Sequence, residues 1–247
     1  MKNGNGFCGL DQCRPSERER ILMTVPKQSL KQIQFLIFDL DGTLVDSETD
    51  LTLSVNAVRS QMGLDALPIK TISSFVGRGV VSLIERALGS SASPEDVQKA
   101  VALFLAYYRG HMLDHTVTYA GVRETLDGLK GWKMAVLTNK PVRFSRDMIA
   151  GLGLAGHFSF IYGGDSFERK KPDPMGVAKL MEDTGCSAAQ TMIVGDSDTD
   201  VFTARNAGVM ACGVTYGIGS HTLEAAQPDF TVDNFRDLLP LLNGRAM

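Results

Sequence analysis

The chain predicts an α/β fold, a doubly wound parallel sheet with an all-helical block inserted after its first strand. Short apolar, β-rich runs recur at residues 35–38, 134–137, 158–162, 192–194 and 211–214. Runs that are apolar at consecutive positions suit strands buried on both faces. Between them lie stretches of helical period that close on Gly131, Gly153, Gly185 and Gly208, where a helix needs a left-handed residue at its end. Strands alternating with helices give βαβ units and hence a parallel sheet. Residues 48 to about 117 break the alternation, with helical period and little strand character.

Taken in order, the first run ends in Asp39-Leu40-Asp41-Gly42-Thr43, where Gly-Thr marks the turn that stops the strand. Two carboxylates one residue apart then project from the carboxyl end of a core strand, the edge where open α/β sheets bind ligands. Burying like charges so close together is costly unless a cation or a shared proton compensates. Within the helical interval, Ser93-Pro94-Glu95-Asp96 reads as a helix start, with a capping serine, proline in the first turn and acids at the positive end. An all-helical insert just past the two aspartates would sit over them like a lid. The apolar stretch 238–242 is expected to pack a last helical turn on the core.

The expected organisation is a mobile tail over residues 1–30, an α/β core formed by 31–47 and 118–247, and a helical cap over 48–117. The tail is polar and Gly-rich, with Met23 an alternative start, and its segment 21–25 is too short for a signal-peptide core. With 44% hydrophobic and 21% charged residues the chain has the composition of a soluble globular protein. A formal charge of −3 argues against a broad nucleic-acid footprint. No apolar run approaches the roughly 20 residues of a membrane span. Cys8, Cys13, Cys186 and Cys212 are too scattered for a disulfide scaffold or a zinc cluster, and a reducing cytoplasm is the expected compartment.

Three further signals follow later strands. They are Thr138-Asn139-Lys140, Arg169-Lys170-Lys171-Pro172-Asp173-Pro174, and Gly195-Asp196-Ser197-Asp198-Thr199-Asp200. The order is acid pair, hydroxyl, lysine and acid cluster. Such a set suits phosphoryl transfer with magnesium, which needs oxygen ligands, a nucleophile and donors around the moving phosphoryl group.

From residue 34 to 235 this pattern resembles the haloacid dehalogenase superfamily, whose phosphatases carry the same four motifs in the same order. The resemblance implies a Rossmann-like core and identifies the insert with a helical cap of the first type. It implies that Asp39 is the nucleophile, forming an aspartyl phosphate, and that Asp41 is the general acid and then base. It implies that Thr138 donates to the phosphoryl oxygens and that Lys171 offsets their charge and orients Asp39. Gly42, Thr43 and Asn139 join Thr138 and Lys171 as phosphate- and substrate-binding candidates. Mg2+ is the implied cofactor, held by Asp39, the Asp41 carbonyl and Asp196, with Asp200 behind them binding a metal water or positioning Lys171. Asp198 is read as an N-terminal acid of the following helix.

Residues 75–80 with 83–88, and the string ending at Ser47, look like those of bacterial phosphoglycolate phosphatases. Arg78 is then placed to meet a substrate carboxylate, the alternative being a surface arginine in a tight turn. The leading expectation is a magnesium-dependent phosphomonoesterase acting on a small phosphorylated metabolite, 2-phosphoglycolate first. A pyrophosphatase or sugar-phosphate phosphatase of the same superfamily remains open, as do a mutase of the β-phosphoglucomutase kind and a metabolite-binding module without catalysis. The retained Asp41 favours phosphatase over dehalogenase. Oligomeric state is left open, and neither nucleic acid nor membrane is an expected partner.

Two other signals are set aside. Gly151, Gly153 and Gly156 match a dinucleotide fingerprint as a string but lie between a helix and a strand, the reverse of what that fingerprint needs. His111 and His115 have metal-ligand spacing on a helix, without further ligands to complete a site.

Overall fold

The computed structural model describes residues 30–243; the tail expected over 1–30, and Met23 with it, lies almost wholly outside them. Six parallel strands form the main sheet: β1 (Phe35–Phe38), β4 (Lys133–Leu137), β5 (Phe160–Tyr162), β6 (Thr191–Gly195), β7 (Met210–Val214) and β8 (Phe230–Val232). Their spatial order is β5-β4-β1-β6-β7-β8, so β1 lies at the centre. Five of the six strands match the apolar runs; β5 begins two residues later than its run, and β8 alternates in burial, which a search for continuous apolar runs passes over. Alternate residues of β1 enter separate cores. Leu36 and Phe38 join Val136 and Val194 on one face, while Phe35 and Ile37 join Ala135, Leu137 and Ile193 on the other. Both faces of the central strand are therefore covered, which is why its sequence is continuously apolar.

Helices α5 (Val122–Gly128), α6 (Val142–Gly151), α7 (Met175–Thr184) and α8 (Asp198–Ala207) cover the sheet, followed by short α9 (Leu223–Ala226) and α10 (Leu238–Leu242). The glycines expected at helix ends do take positive φ, and Gly185 and Gly208 cap α7 and α8 in the left-handed region. The apolar C-terminal stretch becomes α10, burying Leu238, Leu241 and Leu242. The fingerprint-like glycines end α6 and lead into a single 3-10 turn.

Between β1 and β4 the chain forms α1 (Glu48–Gln61), α2 (Ile69–Ser73), α3 (Val80–Leu88) and α4 (Pro94–His111). Helix α4 starts as expected, with Ser93 accepting from the Asp96 amide and Asp96 accepting from Ser93 in a reciprocal cap. The four helices pack through Leu51, Val55 and Val58 of α1, Ile72 of α2, Leu83 and Ile84 of α3, and Phe104 and Tyr108 of α4. His111 is the last residue of α4, so His111 and His115 do not share a helical face; they pair separately with Asp114 and Asp50. No helix among the described residues is long and apolar enough to cross a membrane.

A two-stranded antiparallel ribbon, β2 (Val45–Asp46) with β3 (Val117–Thr118), joins the segments entering and leaving the helical block. Beside it Asp50, buried near the start of α1, accepts from the backbone amides of His115 and Thr116 at 2.8–3.0 Å and from the Thr116 hydroxyl at 2.7 Å. Burial works to raise the Asp50 carboxyl, but these hydrogen bonds outweigh it and hold it below the usual carboxylate range. A carboxylate so held stabilises the fold above its unfolded value near pH 4, and that stabilisation is lost as the pH falls through the depressed native value. Replacing Asp50 by Ala leaves two amides and a hydroxyl unpaired and should cost about 2–4 kcal/mol at pH 7. Urea unfolding at pH 7 should show this loss, and the gap to the parent should narrow as the titration is carried below about pH 4.

Candidate active site

The register of the sheet gathers the functional side chains at one edge. Phe38 lies beside Val136 of β4 and Val194 of β6, so Asp39, Thr138 and Asp196 all stand just past the carboxyl ends of three adjacent central strands. From β1 the sheet extends to β4 and β5 on one side and to β6, β7 and β8 on the other, which opens a crevice at this point. The loop after β1 turns back tightly, with Gly42 donating its amide to the Val45 carbonyl. Asp41 stays close to Asp39, and its Oδ1 accepts from the Ser47 hydroxyl at 2.6 Å.

Lys171 Nζ, fully buried, lies 2.9 Å from Asp39 Oδ1 and donates to Asp200 Oδ1 at 2.6 Å. Asp39, Asp196 and Asp200 can each bring a carboxylate oxygen within 4.8 Å of the others. Asp200 is occupied from behind as well, accepting from the Ser197 amide and hydroxyl. Among the described residues, Asp39 Oδ1 has the ion pair with Lys171 and no partner of hydrogen-bonding geometry. Burial pushes the Asp39 carboxyl up to about 6, with Lys171 opposing and Asp200 adding to the rise. Burial, reinforced by the charges of Asp200 and Asp39, raises Asp196 well above its ordinary value. Burial would lower Lys171, but Asp200 and Asp39 outweigh it and keep the lysine charged. Three buried carboxylates with one lysine, paired to two of them, are short of positive charge, and their hard oxygen donors suit a divalent cation such as magnesium.

Asp196 is tightly framed. Its Oδ2 accepts from the Gly219 amide at 2.7 Å, and Oδ1 accepts from the Thr43 hydroxyl at 3.2 Å. Gly42 has φ +83°, and a Cβ there would collide with the Asp196 carboxylate; one on Gly217 would meet the same side chain. Gly42 and Thr43, expected to bind phosphate, thus sit against the acid of β6. The loop after β7 that carries Gly217 and Gly219 went unnoticed in the sequence, where glycines in a polar connection carry no distinguishing signal.

Above Asp39 a narrow cleft separates the sheet edge from the helical block. Its polar end is formed by Asp39, Asp41, Thr138, Asn139 and Lys140, and its apolar end includes Leu83, Phe104 and Phe144. Thr138 Oγ1 accepts from the Lys140 amide at 3.3 Å, so its own proton remains free to donate into the cleft. Asn139 gives its amide protons to the carbonyls of Gly77 and Lys171, tying the loop before α3 to the lysine loop. Arg78 does not line this cleft. Its side chain is 64% exposed and reaches Asp198, the first residue of α8, at 3.4 Å. Asp198 is therefore the helix-start acid expected, with an arginine partner from the helical block. The cation that does enter the cleft is Lys140, donating to both Asp41 oxygens at 3.0 Å and to the Tyr108 hydroxyl at 2.9 Å. Lys140 was legible only as the neighbour of Thr138-Asn139, and Tyr108 lies among apolar residues of α4 with no signal of its own.

The family model for haloacid dehalogenase-like hydrolases matches residues 36–214. A phosphoglycolate phosphatase of Vibrio cholerae is 39% identical over 224 residues, 86% of this chain and 98% of that protein. One from Pseudomonas putida is 38% identical over 216 residues, 84% of this chain and 79% of that protein. A crystal structure described as a predicted phosphoglycolate phosphatase from Haemophilus somnus superposes with a TM-score of 0.81 at 31% identity, over 85% of this chain and 98% of that one. The match of sequence and fold places the chain in the haloacid dehalogenase-like hydrolase family, within its phosphatase branch.

Proposed function

We propose that this chain is a magnesium-dependent phosphomonoesterase that hydrolyses a small phosphorylated metabolite through an aspartyl phosphate on Asp39. The observation that carries the reading is the Asp39 carboxylate at the floor of the cleft, paired with buried Lys171 and beside two further buried acids. Asp39 attacks phosphorus as the bond to the leaving oxygen breaks, and Asp41, two residues on and also lining the cleft, gives that oxygen its proton. Asp41 then takes a proton from the water that attacks the phosphorus of the aspartyl phosphate, releasing inorganic phosphate and restoring Asp39. Thr138 donates its free hydroxyl proton to the phosphoryl oxygens, and Lys171 holds Asp39 in line while offsetting charge. Asp39, Asp196 and the Asp41 carbonyl would hold Mg2+, whose charge would offset that of the carboxylates and the phosphoryl group.

The helices over residues 48–117 act as a cap that excludes water while the acyl phosphate exists. The assignment to 2-phosphoglycolate rests on the relatives that carry the name phosphoglycolate phosphatase, since Arg78 lies outside the cleft lining. The buried free thiols of Cys186 and Cys212 suit a reducing cytoplasm.

Phosphate release with magnesium across 2-phosphoglycolate, pyrophosphate, sugar phosphates and nucleoside monophosphates tests the reading. Asp39→Asn should lower turnover by about 10³-fold or more on every substrate, and chelation should abolish activity until magnesium is restored. Persistence of parental activity in purified Asp39→Asn would refute the nucleophile. Gly42→Ala should displace Asp196, weakening magnesium binding about 10–100-fold by calorimetry and costing about 1–3 kcal/mol in urea unfolding for the strained backbone.

A further inference from the structure

Beyond the acids and lysine assigned above, one buried contact couples the helical block directly to the sheet-edge site. Lys140 leaves the loop after β4 with its side chain only 5% exposed. Its three ammonium protons have three acceptors: both oxygens of Asp41 at 3.0 Å and the Tyr108 hydroxyl at 2.9 Å. An ammonium offers three donors, so none is left for a substrate in this arrangement. Tyr108 lies on α4 of the helical block, 2% exposed, stacked on Phe104 and tilted against Phe144. Its ring centroid lies 4.7 Å from Lys140 Nζ. On its other side Asp41 accepts from Ser47, at the entry to α1. The Asp41 carboxylate is thus gripped from both faces, by a hydroxyl beside the entry to the helical block and by an ammonium whose own position depends on α4.

We propose that Lys140 and Tyr108 are positioning residues for Asp41, so that its carboxylate is aligned for proton transfer only when α4 is seated against the loop after β4. Neither residue touches the phosphoryl group. Lys140 fixes the plane of Asp41 through two hydrogen bonds when that group is ionised and ready to take a proton from water, and through the remaining acceptor oxygen when it carries the proton for the leaving group, while Tyr108 fixes Lys140. Withdrawal of the helical block to admit substrate or release product removes the Tyr108 contact and frees the lysine and the acid to turn. Chemistry is thereby tied to the closed site, where water is excluded, without any residue of the block entering the reaction. This rests on the role proposed for Asp41 as acid and base.

A leaving group that needs a proton should feel misplacement of Asp41, whereas p-nitrophenolate departs without one. Single-turnover and steady-state rates would be measured for ethyl phosphate, 2-phosphoglycolate and p-nitrophenyl phosphate with the parent, Tyr108→Phe, Lys140→Met and Asp41→Asn. Both positioning variants should lose about 10–100-fold in kcat on the two alkyl esters, with KM within about twofold. Their first-turnover release of p-nitrophenolate should keep the parental rate and an amplitude of one per enzyme, followed by slow turnover because the second step also needs Asp41. That amplitude counts folded sites, and Tyr108→Phe keeps the packed ring should Lys140→Met fail to fold. Equal losses on all three esters, or no loss in Tyr108→Phe, would overturn the inference. So would a higher KM for 2-phosphoglycolate alone in Lys140→Met with kcat unchanged, which would make Lys140 a binder of the substrate carboxylate. If Asp41→Asn turned over the alkyl esters at the parental rate, the acid/base reading itself would fall. The selective loss in Asp41→Asn without it in the other two would sink only the positioning role.

Discussion

Asp39, Asp196 and Asp200 are buried at one sheet edge, close enough for their carboxylate oxygens to share one cation. Carboxylates so confined repel one another, and removal from water makes the repulsion dearer. Much of the surrounding architecture answers that constraint. Lys171 is drawn in beside Asp39 and Asp200, the Gly219 amide and the Thr43 hydroxyl turn towards Asp196, and Ser197 satisfies Asp200 from behind. The positive charge still missing is what makes the site suited to a hard divalent cation. Burial, with the charge of Asp200 behind it, pushes Asp39 upward against the pull of Lys171.

Close packing around these acids explains several residues that carry no chemistry. Gly42 and Gly217 leave room for the Asp196 side chain, and a Cβ on Gly195 would occupy the place of the Asp200 carboxylate. Phe35, Ile37 and Ile193 on one face and Leu36, Phe38 and Val194 on the other clamp the two central strands. A strand buried on both faces has little freedom to shift, so the acids at its end inherit a fixed position. The rigid part of the site is thus built on the sheet. The helices that face it are joined to the sheet through the β2–β3 ribbon and the Asp50 hydrogen bonds.

Contacts between the helical block and the sheet edge differ in kind. Arg78 with Asp198 is a long, exposed pair, of the sort that is worth little and is readily exchanged for water. Asn139 with the Gly77 carbonyl is more protected, and Tyr108 with Lys140 is buried. The innermost of these contacts leads to Asp41.

The sequence by itself determined the fold class, the central strands, the inserted helices and the order of the four motifs. Continuous apolar runs, glycine helix ends and paired acids are local signals, and each follows from burial or backbone geometry within a few residues. It also marked Asp39, Asp41, Thr138, Lys171 and Asp196, because strand ends in such a sheet converge by topology. Only the tertiary structure decided which way the remaining side chains face. It turned Arg78 out to Asp198, turned Thr43 onto Asp196, spent the Asn139 amide on Gly77 and Lys171, and brought Tyr108 to Lys140 from 32 residues away. Those choices depend on how the helices dock on the sheet, a matter of packing between distant segments that no spacing along the chain encodes.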